Sequence, residues 1–200
     1  IRDRVQPGHV VKVQRQGGLL RTSGHKYWDL DFPKADERDP AISEEEHIKA
    51  IRSSLLEAIE MRLVADVPVG CYLSGGIDSC SILGLAAAVN QSPIKAFTIG
   101  FDDSRYDETD IAKEMAEATD AEQDVMRLSG DDLYDHFETT LWHTERTIYN
   151  TLGVAKYLMS RHVRHVNYKV VLTGEGSDEL FAGYPAFRRD MFLHLSLIHI

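Results

Sequence analysis

Tyr72-Leu73-Ser74-Gly75-Gly76-Ile77-Asp78-Ser79 is the stretch from which the rest of the chain can be read. It is the end of an apolar run, Val67-Pro68-Val69-Gly70-Cys71-Tyr72-Leu73, of the kind that forms a strand buried on both faces. Beyond it, Ile82-Leu83 and Leu85-Ala86-Ala87-Ala88-Val89 begin an apolar helical pattern. A strand that breaks into paired glycines and resumes as a helix offers close backbone N–H groups and the positive end of a helix to an anion. Ser74 and Ser79 add hydroxyl donors. Asp78 would repel a bare phosphate, so a cation such as Mg²⁺ is expected between them. The stretch predicts a cradle for a metal-bound polyphosphate.

What the cradle lacks narrows its purpose. No G-x-x-x-x-G-K-[ST] is present, so no lysine is placed to draw out a γ-phosphate. No G-x-G-x-x-G stands at this turn, which disfavours a dinucleotide. Ser-Gly-Gly-Ile-Asp-Ser instead resembles the PP-loop of ATP pyrophosphatases, which split ATP into AMP and pyrophosphate.

Composition sets the outer bounds. Two hundred residues with 43% hydrophobic content suffice for one sizeable core and a piece of a second domain. No apolar run approaches the ~20 residues of a membrane span, and the start has no basic segment leading into an apolar one. Cys71 and Cys80 flank the loop without a C-x-x-C pairing, so they read as small core residues in a reducing, cytoplasmic compartment. The net charge of −10 argues against nucleic acid or an anionic membrane as a partner.

Upstream, His9–Val13 and Leu19–Arg21 flank Gln16-Gly17-Gly18 and predict a β-hairpin, with Gln6-Pro7-Gly8 a turn before it and Tyr27–Leu30 a further extended segment. A lone hairpin is marginal, so these strands are expected to complete a larger sheet. Residues 33–42 are polar, charged and bracketed by prolines, a linker. Ser43-Glu44-Glu45-Glu46 has the form of a capping box, followed by Ile48, Ile51, Leu55, Ile59 and Leu63 as one helical stripe.

Downstream, Ile94–Gly100 predicts a second strand, and Asp107 or Asp110 caps a helix carrying Ile111, Met115 and Ala118. Glu122–Leu128 is a less apolar strand suited to a sheet edge, Asp131–His143 and Leu152–Val166 are helices, and Lys169–Thr173 is a short apolar strand. Strands alternating with helices predict a parallel sheet, which binds ligands at strand carboxyl ends near a switch in strand order. His162 and His165, beside Arg161 and Arg164, predict a solvated basic helix face rather than a metal site.

Thr173-Gly174-Glu175-Gly176-Ser177-Asp178-Glu179 is a second constellation, with three carboxylates in five residues just past a buried strand. A solvated loop would tolerate such a cluster, but its position at a strand end beside the phosphate cradle favours chemistry. Asp178 is placed to share a Mg²⁺ with Asp78, and Glu175 is left for proton transfer or for orienting a nucleophile.

Ser-Gly-Gly-Ile-Asp-Ser, Phe97-Thr98-Ile99-Gly100, Tyr106-Asp107-Glu108, Tyr157-Leu158-Met159-Ser160-Arg161 and Thr173 through Tyr184 occur in the order found in glutamine-hydrolysing asparagine synthetase of the B type. Residues 43–194 resemble the synthetase domain of that family, and residues 1–32 resemble the closing strands of its N-terminal glutaminase domain. The resemblance implies a PP-loop α/β fold (adenine nucleotide alpha hydrolase-like), a parallel sheet with flanking helices. It implies that Leu73, Ile99, Thr173 and Gly174 contact adenosine and that Ser74, Gly75, Gly76, Asp78 and Ser79 hold pyrophosphate. It further implies that Asp78 and Asp178 bind Mg²⁺, and that Glu175 serves the β-aspartyl-AMP intermediate. The implied reaction converts aspartate to asparagine with ATP, and the ammonia comes from glutamine through the missing domain; a homodimer in the full-length protein is compatible with it.

Departures limit what these 200 residues are expected to do. The chain begins with Ile1 rather than the cysteine nucleophile of the glutaminase half, and the family continues well past Tyr184. Glu122-Gln123-Asp124 stand where a histidine is common. Residues 195–200, Leu-Ser-Leu-Ile-His-Ile, resemble a translated sequencing adaptor and are expected to be a non-native tail. Two alternatives stay open: the same chemistry on another carboxylate, as in β-lactam synthetases (which carry tyrosine at the Glu175 position) or lasso-peptide cyclases, and an inactive nucleotide-binding fragment.

Overall fold

A computed structural model describes residues 4–31, 37, 41–190 and 192–193. The expected linker lies largely outside the described residues, and the expected non-native tail wholly so. The chain divides into two compact units, residues 1–47 and 48–200.

In the first unit, β1 (His9–Gln16) and β2 (Leu19–Lys26) pair antiparallel from His9↔Lys26 to Gln16↔Leu19, so the hairpin turns on Gly17-Gly18 as expected. The strands run longer than the apolar pattern alone suggests, because the ladder continues through Arg, Thr and Ser. Tyr27–Leu30 is not a strand: the Tyr27 and Trp28 N–H groups both donate to the Gly8 carbonyl, at 2.8 and 3.2 Å, which folds this segment back on the turn that opens the hairpin.

Helix α1 (Glu44–Leu63) starts on the capping box. The Glu46 N–H donates to Ser43 Oγ at 3.3 Å, and the Ser43 N–H donates to Glu46 Oε2 at 2.8 Å. Its expected stripe is only partly used. Ile59 is buried at 4% exposure, whereas Ile48 and Ile51 remain exposed.

The second unit is built on a parallel sheet of order β5-β4-β3-β6, with β3 Val69–Tyr72, β4 Lys95–Phe101, β5 Glu122–Leu128 and β6 Val170–Leu172. Successive β4 residues serve opposite faces, as the period of a strand requires. Ala96 packs with Leu83 and Ala86 of α2 (Ile77–Val89) and Ala112 and Ala116 of α3 (Thr109–Ala118). Phe97 packs with Met159 and Val163 of α6 (Leu152–His165) on the other side. Helices on both faces explain why β3 and β4 are apolar almost throughout, and β5, at the edge, is the more polar strand as expected.

Asp131–His143 is not one helix but two, α4 (Gly130–Asp135) and α5 (Phe137–Thr144). The break falls at His136, whose Nδ1 lies 2.9 Å from the Asp132 carbonyl oxygen. Ser129 and Asp132 form their own capping box, and His136 closes α4 while opening α5. Thr140, fully buried, donates both its N–H, at 3.0 Å, and its Oγ1, at 2.8 Å, to the His136 carbonyl that opens α5.

Cys71 is wholly buried and Cys80 partly so, and both are free thiols, as read from the sequence. Burial pushes the Cys71 thiol up to about 12, so it stays protonated and unreactive at working pH. A thiol reagent at pH 8 is expected to leave Cys71 unlabelled in the folded protein and to modify it within minutes once denaturant is added, which mass spectrometry of peptides will resolve. No described helix is long and apolar enough to cross a membrane.

Candidate functional site

The strand order reverses at β3. The chain moves from β3 through β4 to β5 on one side, then returns to place β6 against the other side of β3, with Val69 beside Val170 and Cys71 beside Leu172. Crevices at such switch points, beyond the carboxyl ends of the strands, are where open α/β sheets take ligands. The two loops singled out in the sequence emerge side by side there.

The first wall is the Ser74–Ser79 loop. Leu73, 1% exposed, is fixed by an N–H bond to the Phe97 carbonyl at 2.9 Å. Ser79 Oγ then knits the loop together. It accepts from the Ser74 N–H at 3.2 Å, lies 3.1 Å from Ser74 Oγ and donates to the Gly76 carbonyl at 3.0 Å. Gly75 adopts φ +83°, where a side chain would be strained and would also press on Glu108 O and Ile111 Cβ, each at 3.2 Å. Gly76 precedes α2 without a side-chain cap on that helix, so none of its first amides is taken by a capping side chain.

The second wall is the Thr173–Glu179 loop leading into α7 (Ser177–Phe181). Ser177 Oγ donates to the Gly174 carbonyl at 2.8 Å and the Glu175 N–H lies 3.4 Å from Thr173 Oγ1. Gly174 presses directly on the first wall: a Cβ there would stand 2.7 Å from Asp78 Cβ and 2.9 Å from the Ser79 nitrogen. Tyr184, just before α8 (Pro185–Asp190), donates its hydroxyl to Glu179 Oε1 at 2.9 Å. That bond, helped by burial and by the nearby charges of Glu179, Asp178 and Glu175, raises the phenol above its ordinary range.

Together the walls enclose a cavity of about 400 Å³, within the range of small-molecule sites. Leu73, Ser74, Gly76, Asp78, Ser79, Ile99, Thr173, Gly174, Glu175 and Asp178 all line it. Gly75 belongs to the loop but turns towards α3 and is not in the lining. Phe97, Phe101, Leu152 and Met159 add apolar lining, and Tyr72, Tyr106 and Glu108 also border the cavity.

One lining residue, Lys156, escaped the sequence reading. It donates from Nζ to Glu175 Oε1. A usable signal was present, since Leu152, Lys156 and Met159 fall at i, i+4 and i+7 and so share a helix face. Among the described lining residues the charged groups are Asp78, Glu108, Glu175, Asp178 and Glu179 against Lys156 alone. Asp78 and Asp178, in the first turns of α2 and α7, both line the cavity and carry hard oxygen donors. No group of three or more metal-binding side chains exists among the described residues. A two-carboxylate donor set suits a Mg²⁺ whose remaining positions are filled by phosphate oxygens and water, not a cage made by protein alone.

His162 requires a correction. Rather than lying on a solvated basic face, it is half-buried, with Nε2 2.8 Å from Asp124 Oδ1 and its ring edge-on to Phe97. Lys95 Nζ approaches the same Asp124 at 3.7 Å and bonds Glu122 at 2.6 Å. Packing of α6 against β4 and β5 brings these groups together, which helical spacing alone does not reveal.

Residues 50–199 match the family described as Asparagine synthase. The chain belongs to that family. Among curated relatives of this asparagine synthase family chain, Amidase chyE of Penicillium rubens is 40% identical, covering 94% of this chain and 30% of its own length. Asparagine synthetase (glutamine-hydrolyzing) 1 of Bacillus subtilis is 31% identical, covering 92% and 29%. The chain thus spans less than a third of the length of these relatives. The structure of glutamine-dependent NAD+ synthetase from Acinetobacter baumannii superimposes with a TM-score of 0.49 at 16% identity, covering 84% of this chain and 33% of that one.

Proposed function

We propose that the full-length protein is an ATP-dependent, amide-forming ligase that activates a carboxylate as its adenylate, releases pyrophosphate and transfers ammonia to the acyl carbon. The observation that carries this reading is the meeting of the serine–glycine cradle with the acidic loop at the strand switch point, within one cavity. In this reading the Ser74–Ser79 loop binds the pyrophosphate portion through its amides and hydroxyls. Leu73, Ile99, Thr173 and Gly174 seat the adenosine. Asp78 and Asp178 hold Mg²⁺, which when bound offsets charge on the phosphates.

The need for activation is elementary. Ammonia does not displace an oxide from a carboxylate, so the carboxylate first attacks the α-phosphorus of ATP and pyrophosphate leaves. Loop amides aimed at the departing oxygens stabilise the charge that develops there. Ammonia then adds to the acyl carbon, its proton passes to Glu175, and AMP departs as the amide forms. One crevice holding both reactants replaces an improbable encounter with an oriented one.

Aspartate is the first candidate substrate, with ammonia drawn from cytoplasmic glutamine through a glutaminase domain. A second reading, another carboxylate in the same chemistry, is favoured by a specific observation: the relatives titled Amidase chyE and Amidase chry2 are 40% and 36% identical, against 31% for the Bacillus asparagine synthetase. ATP–pyrophosphate exchange on the full-length protein decides between them. Aspartate-dependent exchange is the expected result, exchange with a different amino-acid or small carboxylate instead would establish the second reading, and no exchange with any carboxylate would overturn both.

A further inference from the structure

We propose that Lys156 is a positioning residue for Glu175, fixing that carboxylate where it can take the proton of the attacking ammonia. The inference rests on the ligase reading above and extends it to a residue on a different element, nineteen positions earlier in the chain.

Lys156 is presented by a rigid support. Its neighbours Val154, Ala155, Leu158 and Met159 are all at most 3% exposed, so α6 is anchored in the core on both sides of it. Ser160 Oγ donates to the Lys156 carbonyl at 2.8 Å and lies 3.3 Å from the Tyr72 hydroxyl, which ties this turn of the helix to the strand that leads into the phosphate cradle. Glu175 has no comparable support. It sits on a loop between Gly174 and Gly176, and its backbone neighbours supply no side chains to restrict it.

Charge decides which way Glu175 points. The other charged lining residues are Asp78, Glu108, Asp178 and Glu179, all of its own sign. Alone, a flexible glutamate in that field turns out towards water. The Lys156 ammonium supplies the opposing pull: it bonds Glu175 Oε1, and both residues line the cavity. The pair is substantially exposed, at 53% and 70% for the two side chains, and surface pairs of this kind contribute little to stability. Its value lies in geometry once substrates displace water from the cavity and strengthen the attraction.

The test uses the full-length protein with ammonia as nitrogen donor, measuring kcat and KM for amide formation alongside thermal unfolding. Lys156→Met is expected to lower kcat about 10- to 100-fold, with KM for ATP and for the carboxylate within about threefold and the unfolding midpoint unchanged. Lys156→Arg is expected to recover most of the loss, because it restores a donor of the same charge. In a Glu175→Gln background, Lys156→Met is expected to cost little more, since a residue acting through Glu175 has nothing left to position. The proposal is overturned by an unchanged kcat in Lys156→Met, by a raised KM with kcat kept, by losses that multiply in the double variant, or by an arginine no better than methionine. Absence of carboxylate-dependent exchange in the wild type overturns the ligase reading itself, and this proposal with it; exchange in the wild type with normal kcat in Lys156→Met overturns the Lys156 role alone.

Discussion

Gly174→Ala in the full-length protein is expected to lower ATP–pyrophosphate exchange by about 100-fold and the unfolding midpoint by a few degrees. The added methyl would stand 2.7 Å from Asp78 Cβ, 2.8 Å from the Asp78 carbonyl carbon and 2.9 Å from the Ser79 nitrogen. Two of those three atoms are backbone in the first turn of α2, which cannot swing aside as a side chain would. The Thr173–Glu179 loop must therefore retreat from the Ser74–Ser79 loop. Overpacking of this kind typically costs ~1–3 kcal/mol, but a shift of about 1 Å between reacting groups can cost ~100-fold in rate. Activity is thus expected to fall much further than stability. Gly153→Ala serves as the comparison: the nearest atom to a methyl there is Ile148 Cγ2 at 3.5 Å, an ordinary contact, and exchange should be unaffected. Wild-type exchange in Gly174→Ala would show that the two walls need not touch for the chemistry to proceed.

Asp78→Asn is expected to raise the Mg²⁺ concentration for half-maximal exchange at least tenfold, and to weaken Mg²⁺-dependent binding of ATP in a calorimetric titration by the same factor, ~1.4 kcal/mol. Asparagine keeps the shape of the side chain while removing the charge. The expected loss of stability is small, limited to the favourable placement of an anion in the first turn of α2, ~0.3–1 kcal/mol. Asp178→Asn should act in the same direction, and the double variant should fall short of the product of the two, as expected for ligands of one ion. A Mg²⁺ requirement unchanged in both single variants would remove the pair as its site.

Local chemistry made much of the site legible in advance. A glycine break between a strand and a helix is a short-range event, and so is a cluster of carboxylates at the next strand end, so both walls could be read from runs of fewer than ten residues. The same holds for the Ser43–Glu46 capping box and for the edge position of β5, whose polarity reports that one side of the strand has no neighbour. What could not be read are pairings across long sequence separations. Lys156 meets Glu175, and His162 meets Asp124, only because α6 lies against the sheet; on the helix itself one looks like a surface lysine and the other like part of a basic face. The break at His136 was missed for the opposite reason. It is local, but it falls at His136 inside a stretch whose apolar period, Leu133, Phe137 and Leu141, continues unbroken.

The pairing of β3 with β6 also governs how the site comes into being. Their partners Val69 and Val170 are 101 positions apart in the chain, and the acidic loop arrives at the cradle with that last strand. Closing so long a loop is entropically costly and kinetically slow relative to forming the β3-α2-β4 unit. The proposed nucleotide site is therefore expected to form late in folding, when β6 docks against β3. On the proposed function, ATP that binds only the docked arrangement would draw the equilibrium towards it by mass action, so nucleotide affinity would double as a measure of how completely the domain has folded.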